Sequence, residues 1–172
     1  MSKIISKEEF TSKLQELINN NDLQDNVSWY YASLAREFRY DLINVSDFLE
    51  VFEKLISNRI AEIYNLKDKD VFLSIPITGQ EEKARKTCDA IKKRFEKYFP
   101  TCTLYVPFDV APDKDKPDSY YMGKDIEKLM ECDIMIQMND WEKSKGCTVE
   151  NCVADVYGIP KISIDKLFIE EK

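Results

Sequence analysis

Hydrophobic residues recur at two different spacings along the chain, and the change falls near residue 70. Before that point, apolar side chains recur every three or four residues and neither glycine nor proline occurs, which is typical of amphipathic helices. The pattern predicts three helices: one after a capping box at Ser6–Glu9, one over about 27–41, and one from about Ser46 to about Tyr64. We therefore expect a helical N-terminal region, 1–67, that packs on another surface or forms a subunit contact.

From residue 70 onwards, strand-like and helix-like segments alternate. Apolar runs predict four strands, at 71–77, 103–106, 133–138 and 161–164, with helical stripes between them. Residues 107–117 contain three prolines and are long enough to form a lid. This βαβαβαβ order predicts a second region, 68–172, of the α/β class, with a parallel sheet and helices on both faces.

The last predicted helix carries a glutamate in a place of interest. Its apolar residues fall at helical spacing and predict a core-facing stripe, formed by Val149, Cys152, Val153 and Val156. The pattern puts Glu150 in the first helical turn, after the strand at 133–138, where open α/β sheets bind ligands. The helix dipole would favour the ionised carboxylate there. A first-turn glutamate also serves as ordinary capping chemistry, and that interpretation stays open.

Composition excludes several classes of function. The chain has 172 residues, 44% of them hydrophobic, and a net charge of −7 without a basic patch, which argues against disorder and against duplex nucleic acid as a partner. No apolar run approaches the roughly 20 residues of a membrane span, and the first residues lack a signal peptide's core, so we expect no membrane partner and a cytoplasmic location.

The residue types available also limit the chemistry. Five cysteines without a Cys-x-x-Cys pair predict reduced thiols, and no histidine is present. Ser-His-Asp and Cys-His systems and histidine-containing metal sites are therefore excluded, and we expect neither a metal nor a cofactor. Acid–base chemistry is left to carboxylates, tyrosines, lysines or thiols.

Several other side chains are candidates with two open interpretations each. The polar turn after the first strand, Ser74–Gln80, could hold a small ligand or be a structural turn. Asp125 flanks an apolar stripe, as a functional carboxylate or a partly solvated edge residue. Trp141 could stack on a base or pack against the lid, and Tyr121 could face a sugar or lie in the core.

Four motifs in order give a resemblance to a known family. They are Ser74-x-Pro76-Ile77-Thr78-Gly79, the segment Tyr121–Ile126 with Asp125, Cys132-Asp133-Ile134, and Trp141-Glu142-Lys143-Ser144-x-Gly146-x-x-x-Glu150. Over about residues 70–164 the chain resembles the nucleoside 2-deoxyribosyltransferase superfamily. The resemblance implies a flavodoxin-like fold and cleavage of the N-glycosidic bond of a deoxynucleoside or its monophosphate.

The resemblance also assigns roles. It implies Glu150 as the nucleophile and Asp125 as the residue that helps bind the sugar and manages the leaving base's proton. Asp140 could stand for a further aspartate of the transferases, although 139–149 does not align cleanly with it. The remaining matched positions are implied to bind substrate: Ser74, Pro76, Thr78, Gly79, Gln80, Tyr121, Trp141, Ser144 and Gly146.

The turn 76–80 lacks the arginine with which nucleotide-hydrolysing relatives hold phosphate, so unphosphorylated nucleosides are favoured. The expected partner is a small nucleoside or nucleotide, with a homo-oligomer (a dimer or higher) formed through the helical region. Two other functions stay open: a non-enzymatic nucleotide-binding module whose helices recruit a partner, and a structural protein in which Glu150 is only a cap.

Overall fold

A computed structural model describes residues 11–16 and 45–168 of the chain. The chain divides into two compact units: Leu66–Leu167, and the remainder formed by Met1–Asn65 with Phe168–Lys172. In the latter, residues 11–16 are helical and helix α1 spans Val45–Ile63, within a residue of the prediction at each end. The predicted capping box and the predicted helix over 27–41 lie outside the described residues.

The larger unit is built on a four-stranded parallel sheet. Its strands are β1 (Asp70–Ser74), β2 (Thr103–Tyr105), β3 (Ile134–Gln137) and β4 (Lys161–Ser163). They lie in the order β2-β1-β3-β4, which is the flavodoxin-like order. The predicted α/β class is confirmed. The connections change direction between β1 and β3, so the carboxyl ends of these two strands form the topological switch point.

Four helices connect the strands: α2 (Glu81–Tyr98), α3 (Pro107–Val110), α4 (Asp118–Glu131) and α5 (Lys145–Tyr157). Right-handed crossovers place α2 on one face of the sheet and α4 with α5 on the other, and α4 and α5 contact each other. The core beneath this pair consists of buried residues from both strands and helices: Phe72, Leu129, Cys132, Met135 and Ala154. No helix in the described part of the chain is long and apolar enough to cross a membrane.

The core-facing stripe predicted for α5 is wrong. Val149 and Val156 are 44% and 74% exposed, Cys152 is exposed and Val153 only half-buried. The buried face instead carries Cys147, Glu150 and Ala154. A β-carbon added to Gly146 would lie 3.2 Å from Cε of Met122 in α4. Small residues on this face therefore let α5 approach α4 closely, and the valines are left outside.

Two connections also differ from the prediction. β1 ends at Ser74 rather than continuing to Ile77, because Pro76 has no N–H to donate to a ladder. The segment 107–117 begins with α3 instead of being a loop throughout.

All five cysteines are free, as expected for reduced thiols, and Cys88, Cys132 and Cys147 are buried.

Candidate functional site

Ser74 and Glu150 join the end of a strand to a helix at the switch point. Side chains alternate along β1, so Ser74 shares the face of Phe72, on which α4 and α5 pack. The Ser74 hydroxyl donates a hydrogen bond of 2.5 Å to Oε2 of Glu150. Ser74 is 1% exposed and Glu150 4% exposed, so this contact is buried from solvent.

Glu150 does not lie in the first turn of its helix, contrary to the prediction. The helix begins at Lys145, and Ser144 is the N-cap, its hydroxyl accepting from the amide of Cys147 at 3.4 Å. Glu150 is therefore in the second turn, beyond the helix's unsatisfied amides, and capping does not explain it. Burial raises the pKa of Glu150 to about 7, and a residue in the second turn lacks the dipole effect that we expected to keep it ionised.

Asp125 is the second buried carboxylate. It lies in α4, is 6% exposed, and its Oδ1 has no hydrogen-bond partner among the described residues. Burial raises the pKa of Asp125 to about 6. Since Asp125 ionises before Glu150, its negative charge adds to the rise in the pKa of Glu150. The partly solvated edge position considered for Asp125 is thus wrong.

A buried thiol, that of Cys147, completes the group, and the sequence analysis did not select it. Cys147 lies three residues before Glu150 on the same face of α5, is 2% exposed, and is within hydrogen-bonding range of the hydroxyls of Ser74 and Ser144. Burial raises the pKa of Cys147, so the group stays a neutral thiol at physiological pH. The spacing of three residues from Glu150 was the one available signal.

Two polar groups of the turn after β1 form hydrogen bonds within the turn itself. Thr78, Gly79 and Gln80 are exposed, and Gly79 adopts φ 78°, which favours glycine. The Gly79 amide donates to Oε1 of Glu81 at 2.9 Å, and the Gln80 side chain donates to the Pro76 carbonyl at 3.0 Å. Hydrogen bonds from the backbone amides of Glu81 itself and of Gly79 lower the pKa of the Glu81 carboxyl group. A carboxylate of the chain itself therefore occupies the amide that an anion could use.

Side chains of α2 and of α4 both contact the segment 107–117 and hold it in place. Lys92 in α2 pairs with Asp109 at 2.5 Å, and the guanidinium of Arg85 lies 4.2 Å from the ring centre of Phe108. On the other side, the hydroxyls of two tyrosines of α4 hold the following loop. Tyr120 donates to the carboxylate of Asp113, and Tyr121 donates to the Asp113 carbonyl at 3.1 Å while accepting from the Lys116 amide at 3.1 Å. The hydroxyl of Tyr121 thus forms its hydrogen bonds with the backbone of the loop.

The other predicted residues are less enclosed. Trp141 is half-buried in a 3₁₀ turn, Trp141–Lys143. Asp140 has a side chain 69% exposed, pairs with Lys143 at 2.7 Å, and does not share the buried environment of Glu150 and Asp125. The hydrogen bond to Lys143 lowers the pKa of Asp140. Residues 11–16 and 45–168 contain no group of three or more metal-ligating side chains placed to hold an ion.

Comparison with known families gives a match over most of the sheet unit. The family described as "Domain of unknown function (DUF4406)" matches residues 69–162, more than half of the chain. The chain belongs to the DUF4406 family. The matched region contains Ser74, Asp125, Cys147 and Glu150, so the whole buried cluster lies in the DUF4406 domain.

One similar solved structure is that of a conserved protein from Enterococcus faecalis V583. It is 22% identical, with a TM-score of 0.46, and the match covers 55% of this chain and 61% of that chain. The DUF4406 chain thus spans less than two thirds of that protein. No curated protein matches the chain.

Proposed function

We propose that this DUF4406 protein cleaves or transfers the N-glycosidic bond of a deoxynucleoside or deoxynucleotide, with Glu150 as nucleophile. The observation that carries the proposal is the buried carboxylate pair, Glu150 and Asp125, at the switch point of the sheet. No described basic residue forms an ion pair with either of them. Burying two carboxyl groups without a neighbouring cation lowers the stability of the fold. Such destabilising pairs are typical of catalytic sites.

The pair suits a two-step displacement. Glu150 attacks the anomeric carbon and forms a carbon–oxygen bond while the bond to the base nitrogen breaks and its electrons leave with the base. Asp125 donates the proton that the leaving base needs, and its unpartnered Oδ1 is free to contact the ligand. Water or a second base then displaces Glu150, giving hydrolysis or transfer respectively. The sequence resemblance to nucleoside 2-deoxyribosyltransferases supports the same roles.

This mechanism needs one proton on the pair, and its location matters. The productive form has Glu150 ionised and Asp125 protonated. Burial raises the pKa of Glu150 to about 7 and that of Asp125 to about 6, so in the free protein a single proton is held at Glu150 in preference to Asp125. Contacts that favour the ionised form of Glu150 therefore increase the reactive population.

An assay for free base tests the proposal. The protein is incubated with deoxynucleosides and their monophosphates, and released base is measured by chromatography. Glu150→Gln should abolish release and Asp125→Asn should reduce it, most for bases that need protonation to leave. Glu142→Gln, which removes an exposed carboxylate nearby, is the matched control. A wild-type protein that binds a nucleoside but releases no base would instead favour a binding module whose helical region recruits a partner.

Two finer features belong to the same proposal. Glu81 at the Gly79 amide supports unphosphorylated nucleosides as the ligands, because a phosphate there would meet a carboxylate. The amphipathic α1 supports a dimer or higher oligomer formed through the N-terminal region, which light scattering of the full chain measures.

A further inference from the structure

The Ser74 hydroxyl has a function that the proposed reaction leaves unassigned. Ser74 was predicted from the sequence to bind substrate. Its hydroxyl has one hydrogen to donate, and that hydrogen is directed to Oε2 of Glu150 at 2.5 Å. With 1% of the residue exposed, the hydroxyl is enclosed by the protein. A substrate group therefore has no direct access to this hydroxyl in the structure as it stands.

We propose that Ser74 is a positioning residue that holds Glu150 by Oε2, so that Oε1 is the oxygen directed to the ligand. Its catalytic consequence rests on the proposed function, whereas the contact itself does not. The bond to Ser74 is the one hydrogen bond that Glu150 makes in the described part of the chain. It leaves the second carboxylate oxygen unengaged.

The elements around Glu150 show why this contact matters. Asp125 faces it from α4 and opposes its ionisation, as burial does, while the neutral thiol of Cys147 lies on its own helix. Ser74, from β1, is the group that favours the carboxylate over the carboxylic acid. The same hydrogen bond restricts a side chain with three rotatable bonds. Ser74 thus contributes both to the charge and to the aim of Glu150.

Three variants test the inference. Ser74→Ala removes the donor and one atom of bulk, so it can fold with Glu150 protonated. Ser74→Cys keeps a weaker donor. Ser57→Ala is the matched control, because Ser57 is also a buried serine that donates, at 2.7 Å, but to the carbonyl of Glu53 in α1.

The first measurement does not depend on activity. The pKa of Glu150 is followed by NMR of ¹³C-labelled glutamate carboxyl groups in the free protein, with the signal assigned by its absence in Glu150→Gln. Ser74→Ala should move the midpoint upwards by about one pH unit or more, Ser74→Cys by less, and Ser57→Ala not at all. An unchanged midpoint in Ser74→Ala overturns the inference.

The second measurement uses the proposed reaction. Ser74→Ala should lower kcat about ten- to a hundredfold with KM nearly unchanged, and move the alkaline limb of the pH–rate profile upwards, because Glu150 has the higher pKa of the pair. A raised KM with unchanged kcat would show that Ser74 binds substrate, and would overturn the inference. If the wild type releases no base, the proposed function fails, while the NMR titration still decides whether Ser74 controls Glu150.

Discussion

Replacing Glu150 with glutamine should stabilise the folded protein, and the gain should grow as the pH rises. The pKa of Glu150 is about 7 in the folded protein, against 4.5 for an ordinary glutamate. Between these values the folded chain keeps a proton that the unfolded chain releases. Unfolding is therefore increasingly favoured as the pH rises. Glutamine has a similar shape, still accepts from Ser74, and has no charge to bury.

The size of the effect follows from the same values. At roughly 1.4 kcal/mol per pKa unit, burial of the charge costs the wild type about 3 kcal/mol well above pH 7. About 2 kcal/mol of this cost arises as the pH rises from 5.5 to 8. For a chain of this size that corresponds to roughly 4–8 °C in the unfolding midpoint. Both pH values lie above the sequence pI of about 4.8, where the protein would be least soluble.

Thermal unfolding followed by circular dichroism at pH 5.5 and pH 8 measures this difference. The midpoint of Glu150→Gln should rise relative to the wild type by several degrees more at pH 8 than at pH 5.5. Glu142→Gln, at an exposed position, should follow the wild type at both pH values. If Glu150→Gln is less stable than the wild type at pH 8, or if its advantage does not change with pH, Glu150 is not a buried acid with a raised pKa.

Four further outcomes are expected. Base release should be maximal between about pH 6 and pH 7 and fall on both sides, because the mechanism needs one proton on the carboxylate pair; a plateau extending to pH 9 would contradict this. Asp140→Asn should keep most of the wild-type kcat, measured by base release, since its carboxylate is exposed. Glu81→Gln should increase the thermal stabilisation by a deoxynucleoside monophosphate more than that by its nucleoside, and equal increases would refute the blocking role. Gly146→Val should lower the free energy of unfolding, measured in urea, by about 1–3 kcal/mol, because the added atoms meet Met122. An unchanged unfolding midpoint would show that the Met122 side chain moves aside without cost.

Local sequence patterns predicted where the main helices and strands lie, but not which face of the last helix is buried. The helical stripe before residue 65 gave α1 to within a residue at each end, and the alternation of strand and helix signals gave the α/β class. The prediction of the buried face of α5 was wrong because the spacing of apolar residues carries no information on which helix packs closely against α5. Gly146 and Ala154 permit the approach to α4, and this depends on a residue distant in sequence, Met122.

The burial of Glu150 had no local signal for the same reason. A glutamate in a first helical turn is explained by capping chemistry, and only the start of the helix at Lys145 moves Glu150 out of that turn. Its partner Ser74 lies 76 residues earlier, at the end of a strand, and only the sheet order brings them together. The motifs of the resemblance selected Ser74, Asp125 and Glu150, but they could not separate a substrate contact from a positioning contact, nor indicate Cys147.

Trapping of a glycosyl group on Glu150 tests the central proposal most directly. A 2-fluoro-substituted deoxynucleoside slows the second displacement, so the covalent intermediate should accumulate and be detected by mass spectrometry of the intact protein and its peptides. We expect a sugar adduct, without the base, on the peptide that contains Glu150, and no adduct in Glu150→Gln. Release of base by the wild type with the same adduct in Glu150→Gln, or with an adduct on another residue, would contradict the assignment of Glu150 as the nucleophile.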